Sequence, residues 1–291
     1  MVIKQTIKYW LITGDCHGRV GERLTRIKQD YPRLDPAETA VIILGDAGIN
    51  FWLNKTDKKN KKSFSFFGYT IYCVRGNHEE RPENLEYIEH HYDENVKGYV
   101  MMEPEFPNIR YFEDGDSYEI CGHSVLVIGG AYSVDKWHRL ARAQANGNSF
   151  SGWFEDEQLA DWEMANIEKE IVGKKYDFVF THTCPIDLEP TDLFLPFIDQ
   201  NQVDKTMENW LNEIKDTFTW GVWCFGHFHD DRIERPHVEQ FFYNIENLEE
   251  VWSRWIQYDK TGELDLHLRL SPAFEKEMLY KELVGNEEKN D

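Results

Sequence analysis

Short apolar runs, each closed by a small turn that carries polar chemistry, recur along this chain. Residues 7–13 predict a strand, and Gly14-Asp15-Cys16-His17-Gly18 then turns into a helix with Val20, Leu24 and Ile27 on one face. Pro32 and Pro36 end that helix, and the continuous apolar run Ala40 to Leu44 predicts a strand buried on both faces that ends in Gly45-Asp46. The lysine-rich stretch 54–62 reads as a solvated face, helical or not. Tyr69 to Val74 predicts the next strand, which delivers Arg75-Gly76-Asn77-His78-Glu79. The glycine there allows a tight turn that points Asn77 and His78 into one cleft. Pro82 suits the first turn of a helix through Leu85, Ile88 and Tyr92.

Residues 98–121, with Pro104, Pro107 and Gly115, read as loop-rich, and Ser124 to Ile128 predicts a strand ending in Gly129-Gly130. Residues 131–153 are the least regular stretch and hold Tyr132, Lys136, Trp137, His138, Arg139 and Arg142. They read either as a lid-like insertion that clamps phosphate or as a surface helix with ordinary arginines. Glu155 to Val172 predicts a helix with Leu159, Trp162, Ile167 and Ile171 as its core stripe. Tyr176 to Phe180 predicts a strand that runs into Thr181-His182-Thr183-Cys184-Pro185. Val203, Met207, Trp210, Leu211, Ile214 and Phe218 mark the clearest amphipathic helix. Gly221 to Phe225 predicts the strand before Gly226-His227-Phe228-His229, and Gln240 to Ile245 and Leu264 to Leu270 predict closing strands. The pattern describes one α/β domain over 1–274 and a charged, acidic tail over 275–291 that frays at its end.

At 291 residues and 41% hydrophobic, the chain can bury a substantial core. A formal charge of −21 disfavours long nucleic acid bound across a broad basic face. A small phosphorylated substrate stays compatible with that charge, because divalent cations in a cleft dominate the local field. Five cysteines without paired spacing point to reduced, buried thiols. With no membrane-length apolar run and no signal-peptide pattern, the expected protein is cytoplasmic and meets no membrane.

The polar turns share one place, the carboxyl end of a strand, which is where open α/β sheets put their functional crevice. Asp15, Asp46 and Asn77 follow one another at intervals of 31 residues, about the length of a strand-crossover-strand unit. Asp46 can bridge two cations with its two oxygens. Asp15, His17, Asn77, His182, His227 and His229 complete two mixed nitrogen and oxygen sites, which suit Mn, Fe, Zn or Ni better than Ca or Mg.

Together, Asp15-x-His17, Gly45-Asp46, Gly76-Asn77-His78-Glu79, His182 and Gly226-His227-x-His229 resemble the motifs of the calcineurin-like metallophosphoesterase superfamily, in order and in approximate spacing. The resemblance implies a four-layer α/β/β/α sandwich with two divalent metal ions at one end. It assigns Asp15, His17, Asp46 and His229 to one metal and Asp46, Asn77, His182 and His227 to the other. A metal-bridging hydroxide would be the nucleophile, and His78 would protonate or stabilise the leaving oxygen. Glu79 either orients His78 or is a surface carboxylate. Protein Ser/Thr phosphatases and related diadenosine tetraphosphatases carry Gly-Asp-x-x-Asp-Arg-Gly at the second motif. Here Gly45-Asp46-Ala47-Gly48-Ile49-Asn50-Phe51 lacks both the acid and the arginine. The chain is more similar to bacterial and phage-borne metallophosphoesterases of uncharacterised substrate with an Ala-Tyr-Ser-x-Asp-Lys-like segment, here Ala131 to Lys136. Arg139 and Arg142, with Asn77, would then bind phosphate. The implied activity is hydrolysis of a small phosphomonoester or phosphodiester, such as a nucleotide, with manganese the first metal to supply. A nuclease of short strands, a protein phosphatase and a non-catalytic metal-binding scaffold are the alternatives. The nuclease is disfavoured by the charge and by the absence of a basic groove with interleaved aromatics.

Overall fold

The computed structural model describes residues 2–264 and 269–278. In chain order the first elements are β1 (Val2–Ile3), β2 (Tyr9–Thr13), α1 (Val20–Asp30), β3 (Thr39–Leu44), α2 (Lys55–Ser65), β4 (Thr70–Val74), β5 (Glu89–Asp93), β6 (Gly98–Met102) and β7 (Ile109–Tyr111). They are followed by β8 (Ser117–Ile120), β9 (His123–Ile128), α3 (Lys136–Asn146), α4 (Asp161–Ile171), β10 (Lys175–Thr181) and α5 (Thr206–Ile214). The last are β11 (Thr219–Phe225), β12 (Arg232–Arg235), β13 (Val238–Gln240), β14 (Ile245–Asn247), α6 (Leu248–Thr261) and β15 (Arg269–Leu270).

Two sheets form, one in the order β1-β5-β6-β7-β4-β3-β2-β14 and the other in the order β15-β12-β13-β11-β10-β9-β8. Their facing sides share one core, in which Trp10, Ile12, Ile42, Leu44, Tyr72 and Val74 of the first sheet meet Val125, Val127, Phe178, Phe180 and Val222 of the second. The outer face of the first sheet is covered by Val20, Leu24 and Ile27 of α1 and Phe64 of α2. The outer face of the second is covered by Met164, Ile167 and Ile171 of α4 and Met207, Trp210, Leu211 and Ile214 of α5. The layers are therefore α/β/β/α, as expected. Because β3 is covered on both faces, its six residues are all buried, which is why it reads as an unbroken apolar run.

Register then positions the polar turns. Thr13 lies opposite Ile43 and Ile43 opposite Cys73 in the parallel trio β2, β3, β4, so the turns after these strands open at one level. In the second sheet Thr181 of β10 lies opposite Phe225 of β11, which brings the turns carrying His182 and His227 level as well.

Several local expectations change. No helix runs through Leu85, Ile88 and Tyr92: a single 3-10 turn at Pro82–Asn84 is followed by β5, which pairs with β6. The strand is held by non-local contacts, since its buried Asp93 accepts hydrogen bonds from Arg110 (2.6 Å) and Tyr72 (2.7 Å). The loop-rich stretch 98–121 contains β6, β7 and β8. The helix placed at 155–172 begins at Asp161, and Trp162 lies on its solvent side rather than in the core stripe, 68% exposed. The lysine-rich stretch is a helix, α2, with Lys61 buried against Glu103. Val203 and Phe218 fall outside α5. In place of one strand over 240–245 stand β13 and β14, separated by a bend, and α6 follows without having been expected. It is capped by the Asn247 side chain, which accepts from the Glu249 N–H, and its Leu248, Val251 and Trp255 close the core between the sheets. Most of the strand expected at 264–270 lies outside the described residues, as do 279–291 of the expected tail; 272–278 are helical and bury Phe274.

Candidate metal centre

Three turns of the first sheet and two of the second converge. Asp15 is buried, its Oδ1 accepts the His227 N–H (2.9 Å), and its Oδ2 lies 3.1 Å from His229 Nε2 and 3.7 Å from His17 Nε2. Asp46 is buried beside it: Oδ1 accepts the His78 N–H (2.8 Å) and sits 3.5 Å from His182 Nε2, and Oδ2 lies 3.7 Å from His17 Nδ1. The groups Asp15, His17, His229 and Asp15, Asp46, His182 each bring their donor atoms close enough for one ion. His227 completes the ring, its imidazole 5.0 Å from that of His182.

The donors fit cations on hydrogen-bonding grounds. His182 Nδ1 donates to the Leu44 carbonyl (2.8 Å), so its Nε2 carries a bare lone pair in the neutral ring. That lone pair faces Asn77 Oδ1, another acceptor, at 2.8 Å. The Asn77 amide is held this way round because its Nδ2 donates to Ser133 Oγ (2.8 Å), which in turn donates to Glu157 (2.5 Å). The Nε2 atoms of His17 and His229 also face each other at 2.8 Å, and buried Asp15 Oδ2 accepts no aligned hydrogen bond. Facing acceptors at this distance repel one another unless a proton or a cation lies among them, and neighbouring ligands on one small cation are roughly 3 Å apart.

Backbone strain and close packing hold the arrangement. His17, Asp46, His227 and His229 all have positive φ, between 45° and 66°, a region that non-glycine residues rarely enter away from functional turns. Gly76 is required for approach rather than for turning, since a Cβ there would stand 2.0 Å from Asp46 Oδ1. At Gly45, with φ +87°, a Cβ would stand 2.1 Å from His182 Nδ1. Glu79 neither touches His78 nor reaches the surface. Its carboxylate accepts the N–H groups of Gly48 (2.9 Å) and Gly76 (3.2 Å), tying the second and third turns together, and burial, reinforced by Asp46, pushes it up to about 7.

Burial would raise Asp46, but the His78, His182 and His17 rings and the His78 N–H outweigh it and hold the carboxyl below its usual range. Burial, with His182 close by, pushes His227 down to about 3, which keeps it neutral and able to donate a lone pair. His78 lies at the edge of the group: its Nε2 is 3.8 Å from Asp46 Oδ2 and 3.4 Å from Arg139 Nη2. Burial holds its pKa below the ordinary value.

A cavity of about 440 Å³ opens over His17, Asp46, Asn77, His78, His227 and His229. Arg139 enters it from α3, braced by Asp135 (2.7 Å) and the Gly152 carbonyl (2.6 Å). Arg142, one turn further along α3, is exposed and does not line the cavity. Three participants have no role assigned from the sequence. Ser133 and Glu157 orient Asn77, and Arg75 is buried in bonds to Asp114, Gly129 and Glu157 behind the third turn. Ser133 lies within the Ala131 to Lys136 segment, and that was the only signal pointing to it. Among the described residues no helix is long and apolar enough to cross a membrane.

No curated protein matches the chain. The family model of calcineurin-like phosphoesterases matches residues 10–231, a span that contains every residue of this cluster from Asp15 to His229. A match over that much of the sequence, on a fold of two sheets between helices, shows that the chain belongs to the calcineurin-like phosphoesterase family.

Proposed function

We propose that this protein hydrolyses a small phosphoester, such as a nucleotide, with two divalent cations, of which manganese is the first to supply. The observation that carries the reading is the pair of facing acceptors His182 Nε2 and Asn77 Oδ1, 2.8 Å apart beside the buried Asp46 carboxylate. Asp15, His17, Asp46 and His229 would hold one cation, and Asp46, Asn77, His182 and His227 the other. Bound there, the cations supply positive charge opposite the phosphoryl oxygens and acidify the attacking water. The chain's own groups do the rest. Ser133 and Glu157 keep Asn77 Oδ1 turned inward, and Arg139 offers guanidinium N–H groups to a phosphoryl oxygen. His78, whose ring lies beside Arg139, would pass a proton to the leaving oxygen. Five free cysteines, four buried and Cys121 exposed where burial was expected, support a reducing compartment such as the cytoplasm.

The test is hydrolysis of p-nitrophenyl phosphate and bis-p-nitrophenyl phosphate in Mn²⁺, with Asp46→Asn as the blank. Turnover that needs Mn²⁺ and is absent from the blank is expected. A rate that survives chelation, or equal rates in the wild type and the blank, would refute the reading.

A further inference from the structure

The cavity over His78 and Arg139 is one of two clefts that meet at His17 and His229. It opens on the Asp46 side and is walled by Leu193, Phe194, Leu195, Ile198, Val203 and Phe228. The other, of about 410 Å³, opens on the Asp15 side and is lined by Arg19, Glu22, Arg23, Arg26, Phe242 and Tyr243. Three guanidiniums against two carboxylates, Asp15 and Glu22, leave a local excess of positive charge in a chain of formal charge −21. Arg23 is buried at the groove floor, where it donates to the carbonyls of Phe242 (2.6 Å) and Asp15 (3.2 Å), and its guanidinium lies 5.0 Å from the centre of the Tyr243 ring. Arg26 donates to the Tyr243 carbonyl (2.9 Å) and to Asp30 (3.1 Å). Arg19 is exposed and has no ion pair among the described residues. The aromatic pair is built in as well: the Asp231 carboxylate accepts the N–H groups of Phe242 (2.7 Å), Tyr243 (2.8 Å) and Asn244 (2.8 Å), and Phe242 lies 4.9 Å from the His229 ring.

A phosphomonoester has one organic substituent and would use one cleft; a diester has two. His78 and Arg139 line the apolar cleft, so the leaving oxygen departs on that side and the arginine groove keeps the other substituent. We infer that the substrate is a nucleotide-type phosphodiester: the retained nucleoside carries a further phosphate for the arginines and stacks its base on the exposed Tyr243 ring, with Phe242 edge-on beside it, and an apolar or aromatic group leaves along the 193–203 wall. Stacking of bases on aromatic side chains beside a positive groove is the general physics of such recognition. The groove has room for one nucleotide unit, and the formal charge of −21 disfavours longer strands. In the reaction water forms the new P–O bond, the bond to the leaving oxygen breaks, and a proton of that water ends on the leaving oxygen. The product left in the groove is a phosphomonoester. This substrate class rests on the phosphoesterase reading above.

The test compares p-nitrophenyl thymidine 5′-phosphate with the same ester carrying a 3′-phosphate, using the full chain in Mn²⁺. The 3′-phosphate is expected to raise kcat/KM about tenfold or more, mainly through KM, and the advantage should shrink as salt is added. Arg19→Ala should bring the ratio to within about twofold of one, and Arg19→Lys should restore part of it. Titration calorimetry with thymidine 3′,5′-bisphosphate and thymidine 5′-phosphate reads the same contrast without turnover. Hydrolysis of both esters at equal kcat/KM, or a preference that survives Arg19→Ala and Arg26→Ala, overturns the groove. Tighter bisphosphate binding that Arg19→Ala removes, in a protein that cleaves neither ester, supports the groove and refutes the phosphoesterase reading.

Discussion

The ligand rim and the walls around it are built on different principles. In the rim every turn starts from a buried parallel strand, four side chains sit at positive φ, and neighbouring turns are tied by Glu79, Asp15 and Asp46 to one another's backbone N–H groups. The walls at 132–139 and 189–205 hang from 3-10 turns and one short helix, and leave apolar groups such as Leu195 half exposed. The rim can place atoms to a fraction of an ångström because its backbone has nowhere else to go. Apart from Ser133, which turns Asn77, the wall side chains can set substrate preference without disturbing the ligands. The arginine groove is intermediate. Arg23 belongs to the rim's scaffolding and Arg19 to its solvent edge.

The sharpest way to break this contrast is at Asp46. Asp46→Asn removes the charge shared by both proposed cation positions, and the expected outcome is loss of metal by elemental analysis together with loss of turnover to the rate measured without protein. Wild-type metal content in that protein would show that the rim does not work as one unit. His78→Ala comes next. It lies at the junction of rim and wall and is expected to keep its metal while kcat falls about 10²- to 10⁴-fold, the usual range for a lost proton-transfer group. Loss of metal instead would move His78 into the rim.

On the walls, Arg139→Ala is expected to lower kcat/KM about tenfold to a hundredfold, as for a lost charge-assisted hydrogen bond. Arg142→Ala, exposed and outside the cavity, should stay within about twofold of wild type, and steady-state kinetics on one ester separates them. The last effect is one of stability rather than of rate. Glu208, behind His182 in the apolar cleft, accepts from Thr183 Oγ1 (2.7 Å), and burial pushes it up to about 7 from an ordinary 4.5. Its folded pKa is raised, so the folded state binds more protons than the unfolded one between those values. Stability should therefore decline as pH rises from about 4.5 through about 7, by up to about 3 kcal/mol from this group. Denaturant melts of Glu208→Gln across that range should show a flatter profile; an unchanged slope would place the titration elsewhere.

The sequence made the two-sheet core legible wherever a strand is short, apolar and closed by glycine, as at Ala40 to Leu44 and Tyr69 to Val74. The ligand candidates were legible for the same reason: they follow such strands, and their order is the order of the sheet. The peripheral elements were not. Leu85, Ile88 and Tyr92 have helical spacing, yet they lie at or near a strand held by Asp93 and Arg110, a pairing across the fold that no local window contains. The helix α6 did carry local signals, Asn247 before Glu249 and Glu250 and Gly262 at its end, that were passed over.

What the sequence determined by itself was a set of strand-end turns with metal-ligating chemistry and the family they belong to, because register converts even spacing along the chain into convergence in space. Which atoms face which was decided only by tertiary structure. Asn77 is turned by Ser133 and Glu157, and Glu79 bonds to two glycine N–H groups rather than to His78. Arg19, Arg23 and Arg26 meet Phe242 and Tyr243 more than two hundred residues away to form the basic, aromatic groove that the linear sequence did not reveal. Such contacts depend on how two sheets and their loops pack around a common end, and local pattern carries no record of that.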